Sequence, residues 1–326
     1  MRTGWKAAVC AVAIGSAVAS TAPVGAHGPT IGGHGNHYYL NDKFGGRANM
    51  ELVYGDPRDV VYVGDWDDNG TDTLMVRRGN TFYARNSLTT GNAEVVFSYG
   101  DPPDTVLVGD WDGDGRDTLT VRRGNRYFVK NSVTSGVADA EFTYGNPDDE
   151  VLVGDWDGDG RDTLTVRRGS TYYVKNSVTT GVADTTLVYG NPGDIVLTGR
   201  WSNTQPGDTL AVRRGNTYYL RYTLTPGVAD VVVPFGEPTD TAFSGDWGGD
   251  GQDTLGVRRH VGAPPPPAQP LPPSAPPGPA PSADVNCDDF ATQAAAQAWF
   301  DYWFPAMGDV AGLDGDDDGK ACERLP

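Results

Sequence analysis

Val151-Leu152-Val153-Gly154-Asp155-Trp156-Asp157-Gly158-Asp159-Gly160-Arg161-Asp162-Thr163-Leu164-Thr165-Val166-Arg167-Arg168-Gly169 reads as strand, loop, strand, turn. The first four residues suit a short buried strand, and 155–162 is too rich in Gly and Asp to continue it. Thr163 to Arg167 forms the second strand, which Gly169 turns. Thr171-Tyr172-Tyr173-Val174-Lys175 supplies a third, and Thr185-Thr186-Leu187-Val188-Tyr189 a fourth beyond the Thr180-Gly181 turn. Gly190-Asn191-Pro192 closes the unit, because proline cannot donate to a sheet ladder. This unit recurs. Gly-(Asp/Arg)-Trp returns at Gly64-Asp65-Trp66, Gly109-Asp110-Trp111, Gly154-Asp155-Trp156, Gly199-Arg200-Trp201 and Gly245-Asp246-Trp247, with Trp spacings of 45, 45, 45 and 46 residues. Four strands per period of that length predict one propeller blade per repeat.

The ends of the repeat region set the architecture. The chain enters mid-unit, since Gly35-Asn36-His37-Tyr38-Tyr39-Leu40 matches the third strand of Gly215-Asn216-Thr217-Tyr218-Tyr219-Leu220, and Met50 to Tyr54 matches a fourth. It leaves mid-unit at Val257-Arg258-Arg259-His260, after a second strand. Joined, these halves make one composite blade beside four complete ones. The expected fold is all-β: a five-bladed β-propeller over residues 34–261 with Velcro-type closure, which removes exposed sheet edges.

Of 326 residues, 25 are basic and 43 acidic, giving a formal charge of -18. That balance disfavours nucleic acid and anionic membranes as partners and favours cations. Residues 1–26 read as a signal peptide: Arg2 and Lys6, an apolar run from Ala7 to Ala19, and cleavage sites after Ala26 or after Ala19. Secretion then leaves Cys287 and Cys322 as an even pair with one possible connectivity. No later stretch is apolar for long enough to span a bilayer. From 262 to 283, 11 of 22 residues are Pro, a semi-rigid polyproline spacer of up to roughly 70 Å at about 3.1 Å per residue. Residues 284–326 form a second unit, with a helix expected over 291–304 and an apolar stripe of Phe290, Ala294, Ala298 and Tyr302.

The tail ends Leu313-Asp314-Gly315-Asp316-Asp317-Asp318-Gly319-Lys320-Ala321-Cys322-Glu323. Alternate carboxylates at Asp314, Asp316 and Asp318, the Lys320 carbonyl and Glu323 provide oxygens for a hard cation, and flexible Asp loops suit Ca²⁺ better than Mg²⁺. This Asp-x-Asp-x-Asp-Gly-x-x-Cys-Glu pattern, with an upstream Asn286-Cys287, resembles the Excalibur domain, an extracellular bacterial calcium-binding module. The resemblance covers 284–326 and implies calcium binding by a small α/loop domain stapled by a Cys287–Cys322 disulfide.

The propeller loops resemble FG-GAP and VCBS repeats, whose Asp-x-Asp-x-Asp-Gly loops hold Ca²⁺ on a propeller rim. The matching residues are Asp110, Asp112, Asp114 and Gly115 in the second unit, and Asp155, Asp157, Asp159 and Gly160 in the third. Asp65, Asp67, Asn69 and Gly70 match with a neutral third ligand. The family pattern places a further Asp at the ninth position, where this chain has Thr73, Thr118 and Thr163 and carries its Asp one residue earlier. Water or a Thr hydroxyl then completes the cage. The fourth loop opens with Arg200 in place of the first ligand and is expected to bind no metal; the fifth has Gly248 at the second ligand and is weak. The competing reading is that Asp-Gly loops are turn sequence with Asx caps.

Trp201 persists in the fourth unit although the acids are gone, so the Trp series is expected to pack between blades, with an exposed sugar-stacking platform as the alternative. The Arg pairs persist too. One member of each pair is expected between blades over an aromatic ring. The other set, Arg78, Arg123, Arg168, Arg214 and Arg259, is a candidate ring for an anionic ligand or for structural pairing. His34, His37 and His260 fall at the closure. The expected function is a secreted, calcium-binding, non-catalytic protein whose propeller acts as a multivalent binding or scaffold module for a cell-wall or host glycan or an extracellular protein. The alternative is a secreted glycosidase-like hydrolase, which would need unique axial carboxylates, whereas nearly every Asp here belongs to a repeated set.

Overall fold

The computed structural model of the chain describes residues 28–260, 285–307, 313–314 and 320–325. The expected signal peptide, the Pro-rich linker, and Asp316 and Asp318 lie outside the described residues. The chain divides into two compact units, Met1–Val261 and Gly262–Pro326.

The first unit is a five-bladed β-propeller of five four-stranded antiparallel sheets. In the third-unit blade the strands are Glu150–Gly154, Thr163–Arg168, Thr171–Val174 and Thr185–Val188, in that spatial order. Register pairs Gly154 with Thr163, Arg167 with Tyr172 and Tyr172 with Leu187. The fifth sheet draws on both ends of the repeat region: Thr241–Gly245 and Thr254–Arg259 pair with His37–Leu40 and Met50–Val53. Tyr38 sits opposite Arg258 across that junction.

First strands face the axis, and each of Val60–Gly64, Thr105–Gly109, Glu150–Gly154, Ile195–Gly199 and Thr241–Gly245 ends in a Gly at the loop that follows. The apolar interior is five clusters between neighbouring blades. Trp156 packs with Leu152 and Tyr172 of its own blade and with Val196, Leu210 and Val212 of the next. The five repeat Trp are 0–6% exposed. Each buried aromatic contributes about 1.5–3 kcal/mol from removal of apolar surface from water. A sugar-stacking platform is thereby overturned, because no face of these rings is open.

At the amino end, Gly28 exchanges two backbone hydrogen bonds of 2.8 Å with Val108, and the Ile31 N–H donates to the Val61 carbonyl at 2.9 Å. The segment thus lies against first strands of two blades, with Ile31 fully buried.

The second unit has a 3-10 turn Cys287–Asp289 begun by an Asn286 capping box, and a helix Gln293–Met307. A disulfide joins Cys287 to Cys322; across a loop of about 35 residues such a bridge contributes on the order of 3–4 kcal/mol, needed where so little apolar surface is buried. Gln297 accepts from the Ala321 N–H at 2.8 Å, and Gln293 donates to the Ala321 carbonyl at 3.1 Å. The buried helical face is Ala296, Trp299 and Phe300, while Ala294 and Ala298 are exposed. This corrects the expected Ala stripe: Trp299 and Phe300 carry far more apolar area and choose the face. Phe290 caps the preceding turn and packs edge-on against Trp299.

Candidate metal sites and the axial carboxylate ring

Each Asp-rich loop is organised by its first carboxylate. Asp110 Oδ1 accepts from the N–H groups of Gly113 (2.8 Å) and Asp114 (3.2 Å), and its Oδ2 from Gly115 (2.8 Å). Asp155 repeats the pattern with Gly158, Asp159 and Gly160. Gly113 and Gly158 have φ of 76° and 77°, a left-handed conformation that a Cβ disfavours. The turns bring Asp110, Asp112 and Asp114 together with ligand oxygens within 4.8 Å of one another, and likewise Asp155, Asp157 and Asp159. Among the described residues these are the two groupings of three or more metal-capable side chains, and neither includes His.

A carboxylate offers about four lone-pair sites. Three loop amides leave Asp110 and Asp155 one each, so the donor set fits a hard cation whose remaining ligands are carboxylate and water. The first loop is built alike around Asp65, which accepts from Asp67, Asn69 and Gly70. Burial first and then the Asp65 charge push the Asp67 carboxyl up. Here Asp68 (φ 60°) stands where the sister loops use glycine.

The Asp at the eighth loop position has a role that sequence spacing did not reveal. Asp162 Oδ2 accepts from the Asp110 N–H of the preceding blade at 2.8 Å, while the Asp162 N–H donates to the Asp110 carbonyl at 2.7 Å. The same reciprocal latch joins Asp117 to Asp65, Asp208 to Asp155, Asp253 to Arg200 and Asp72 to Asp246. This explains why the acid stands one residue before the ninth position: it serves the neighbouring blade. It also explains the Gly at 64, 109, 154 and 199, since a Cβ there would crowd the latch Asp, as at Gly109, where it would lie 2.9 Å from Asp162 Oδ2; at Gly245 a Cβ would instead meet the Trp247 ring. The signal was present in the sequence as Gly and Asp co-recurring in every unit, including the fourth.

The first residue and the latch Asp of each of the five loops line one cavity of about 260 Å³. A cavity touched by every blade lies on the axis; of each Asp triad only the first carboxylate, Asp110 or Asp155, lines it. Its wall carries Asp65, Asp110, Asp155 and Asp246 with Arg200, and Asp72, Asp117, Asp162, Asp208 and Asp253. Burial raises the carboxyls of Asp110, Asp155 and Asp246 above the usual range, and the loop amides only partly oppose it. Arg200 donates through Nε to the Gln205 carbonyl at 3.1 Å, so a cation stands among the nine acids.

Of the tail residues, Asp314 is buried, and Lys320 lies 3.5 Å from Glu323. Asp316 and Asp318 lie outside the described residues.

The Arg pairs divide their work. Arg77, Arg167, Arg213 and Arg258 are buried, and each first Arg donates to backbone carbonyls, as Arg77 does to Asp101 and Asp104 of the next blade at 2.8 and 2.7 Å. Arg78, Arg123, Arg168, Arg214 and Arg259 each hold an Asp in a two-pronged hydrogen bond, from Arg78–Asp59 to Arg259–Asp240. Each also stacks on an aromatic ring 4.7–5.5 Å away, and in the first four pairs both members, rather than one, meet rings. The candidate anion ring is therefore engaged in structural pairing.

No protein-family model matches the chain, and no curated relative matches it. Among solved structures, BBS1N in complex with ARL6DN, soaked with mercury, is 13% identical over 75% of this chain and 95% of that one, with a TM-score of 0.35. The same complex soaked with lead is 12% identical over 75% and 96%, with a TM-score of 0.36. Likeness at that level carries no argument about function.

Proposed function

We propose that the chain is a secreted, calcium-stabilised binding protein, a non-catalytic propeller whose repeated surface engages a repeated extracellular ligand such as a glycan. The observation that carries the calcium reading is the convergence of Asp110, Asp112 and Asp114, and of Asp155, Asp157 and Asp159, in loops pre-shaped by their own amides. The Excalibur-like tail supplies a further site through Asp314, Asp316, Asp318, the Lys320 carbonyl and Glu323. The composite sheet closes the ring, so the loops are held by neighbours on both sides. The Cys287–Cys322 disulfide and the amino-terminal segment fit an exported protein.

Calorimetric titration of the full chain with Ca²⁺ is expected to give at least three ions, with EGTA lowering the melting temperature by linkage to bound metal. Extracellular modules of this kind bind at about 10⁻⁴–10⁻³ M. Absence of binding heat together with an unchanged melt would reduce the acids to turn chemistry. One ion alone would confine calcium to the tail, where Asp316→Ala is expected to weaken binding more than Asp317→Ala.

A hydrolase is the second reading, and the axial placement of Asp110, Asp155 and Asp246 with raised carboxyl pKa is what favours it. Against it stand the loop amides that these side chains already accept, three each for Asp110 and Asp155 and four for Asp246. Turnover of a glycoside substrate that Asp155→Asn abolishes, with the fold intact, would replace the binding reading.

A further inference from the structure

The composite blade differs from the other four at the point where its second and third strands meet. Elsewhere a continuous Arg-Gly-(Asn/Ser) hairpin joins them, as in Arg78-Gly79-Asn80. Here that hairpin is cut. Gly35 and Asn36 take its place from the amino side, and a Cβ on Gly35 would lie 2.8 Å from the Cα of His260, so the two ends abut. A cavity of about 520 Å³ opens at this seam, lined in part by His34, Arg58, Thr239, Thr241 and His260.

Its basic and imidazole side chains are departures from the repeat. Arg58 is the third residue of the Asp56-Pro57-Arg58-Asp59 turn, a place held by Pro103, Asp148, Gly193 and Thr239 in the other blades. His260 stands where the intact hairpins have Gly79, Gly124, Gly169 and Gly215, and His34 precedes the strand that replaces the hairpin. The seam floor is Arg258, 1% exposed and held by the Gly32, Gly35 and Asp59 carbonyls. The nearest carboxylates are occupied: Asp240 by Arg259, and Asp56 and Asp59 by Arg78. No carboxylate lines the cavity, although the chain carries a formal charge of -18. Among the described residues, His34, Arg58 and His260 form no ion pair.

We infer that the seam is an anion-binding site for a tetrahedral oxyanion, a phosphate or sulfate ester on a larger molecule. Donors reach the cavity from three directions, namely the amino segment (His34), the following blade (Arg58) and the end of the second strand with the preceding turn (His260, Thr239, Thr241). Such divergent donors suit a tetrahedral group better than a planar carboxylate. The cavity exceeds one ion in size, so the ester's parent molecule also enters it. This inference does not depend on the calcium reading.

The test is NMR of the histidine ring signals in the full chain, in calcium-free buffer at fixed ionic strength, during titration with methyl phosphate or methyl sulfate. The signals of His34 and His260 are expected to shift saturably and that of His37 to stay, the ester that binds more tightly identifying the source. Arg58→Asp gives this turn the acid that the third-unit blade carries at Asp148, so the fold is expected to tolerate it. It should weaken binding about tenfold, because an exposed attraction of up to ~1 kcal/mol becomes a repulsion. Equal shifts with sodium chloride, equal affinity for acetate, or undiminished binding by Arg58→Asp would each overturn the assignment.

Discussion

At the scale of the residue, the repeats act as internal controls for one another. Asp68 adopts φ 60° where Gly113, Gly158 and Gly249 adopt 67–77°. Left-handed backbone costs an L-residue energy that glycine avoids, although Asp tolerates it better than most. Asp68→Gly is therefore expected to stabilise the propeller by up to about 1 kcal/mol, read as a higher urea midpoint at constant slope. A lower midpoint would mean that the side chain holds something across the blade boundary. The two Arg of each pair show the same economy of position. In the first, third and fourth units register sets the first beside the third-strand ring and the second opposite a Thr, yet guanidinium reach brings both onto aromatic faces. Alternation along a strand says which side a Cβ takes and leaves the end of a long side chain free.

At the scale of the element, the blade-to-blade latch is the device on which the loops depend. Asp162→Ala removes the acceptor of the Asp110 N–H and leaves that part-buried donor without its partner. Loss of about 1–3 kcal/mol follows, while Asp148→Ala, at an exposed turn position in the same blade, should fall within about 0.5 kcal/mol of wild type. Chemical denaturation of both variants decides this, and equal effects would remove the latch. Gly109→Ala should also destabilise, because its Cβ would stand 2.9 Å from both Asp162 Oδ2 and Val153 Cγ1. Nothing in a single loop sequence distinguishes a candidate ligand Asp from a latch Asp. The distinction arises only when the next blade is in place.

At the scale of the whole molecule, two sets of carboxyls titrate in opposite senses. Burial pushes Asp59, Asp149, Asp194 and Asp240 up, yet the Arg hydrogen bonds, a turn N–H and the Arg charge together hold each below the usual carboxylate range. For Asp104 the Arg123 hydrogen bond is the leading cause. These groups contribute stability above the unfolded carboxylate value of about 3.9 and lose it as pH falls through their lower folded values. Asp110, Asp155 and Asp246, raised chiefly by burial, bind protons in the folded state first, so their contribution improves as pH falls towards the unfolded value. The calcium-free melting temperature is thus expected to rise on mild acidification from neutrality and to drop below about pH 4. Saturating Ca²⁺ should flatten the rise, since protons and metal compete for the same oxygens. A monotonic fall from pH 7 in EGTA would contradict the axial assignment.

The sequence by itself determined the blade count, the strand order within a blade and the composite fifth sheet. Period, turn residues and the mid-unit ends are local facts that survive without knowledge of packing. It also singled out the two Asp triads, because alternate carboxylates between glycines converge within one loop. Only the tertiary structure decided that the first loop residues and the latch Asp surround an axial cavity, that the latch Asp belongs to the neighbouring blade, and that the helix buries Trp299 and Phe300 instead of its Ala stripe. The physical reason is common to all three. Each depends on which surface a second element presents, and one-dimensional spacing carries no information about the far side of a contact.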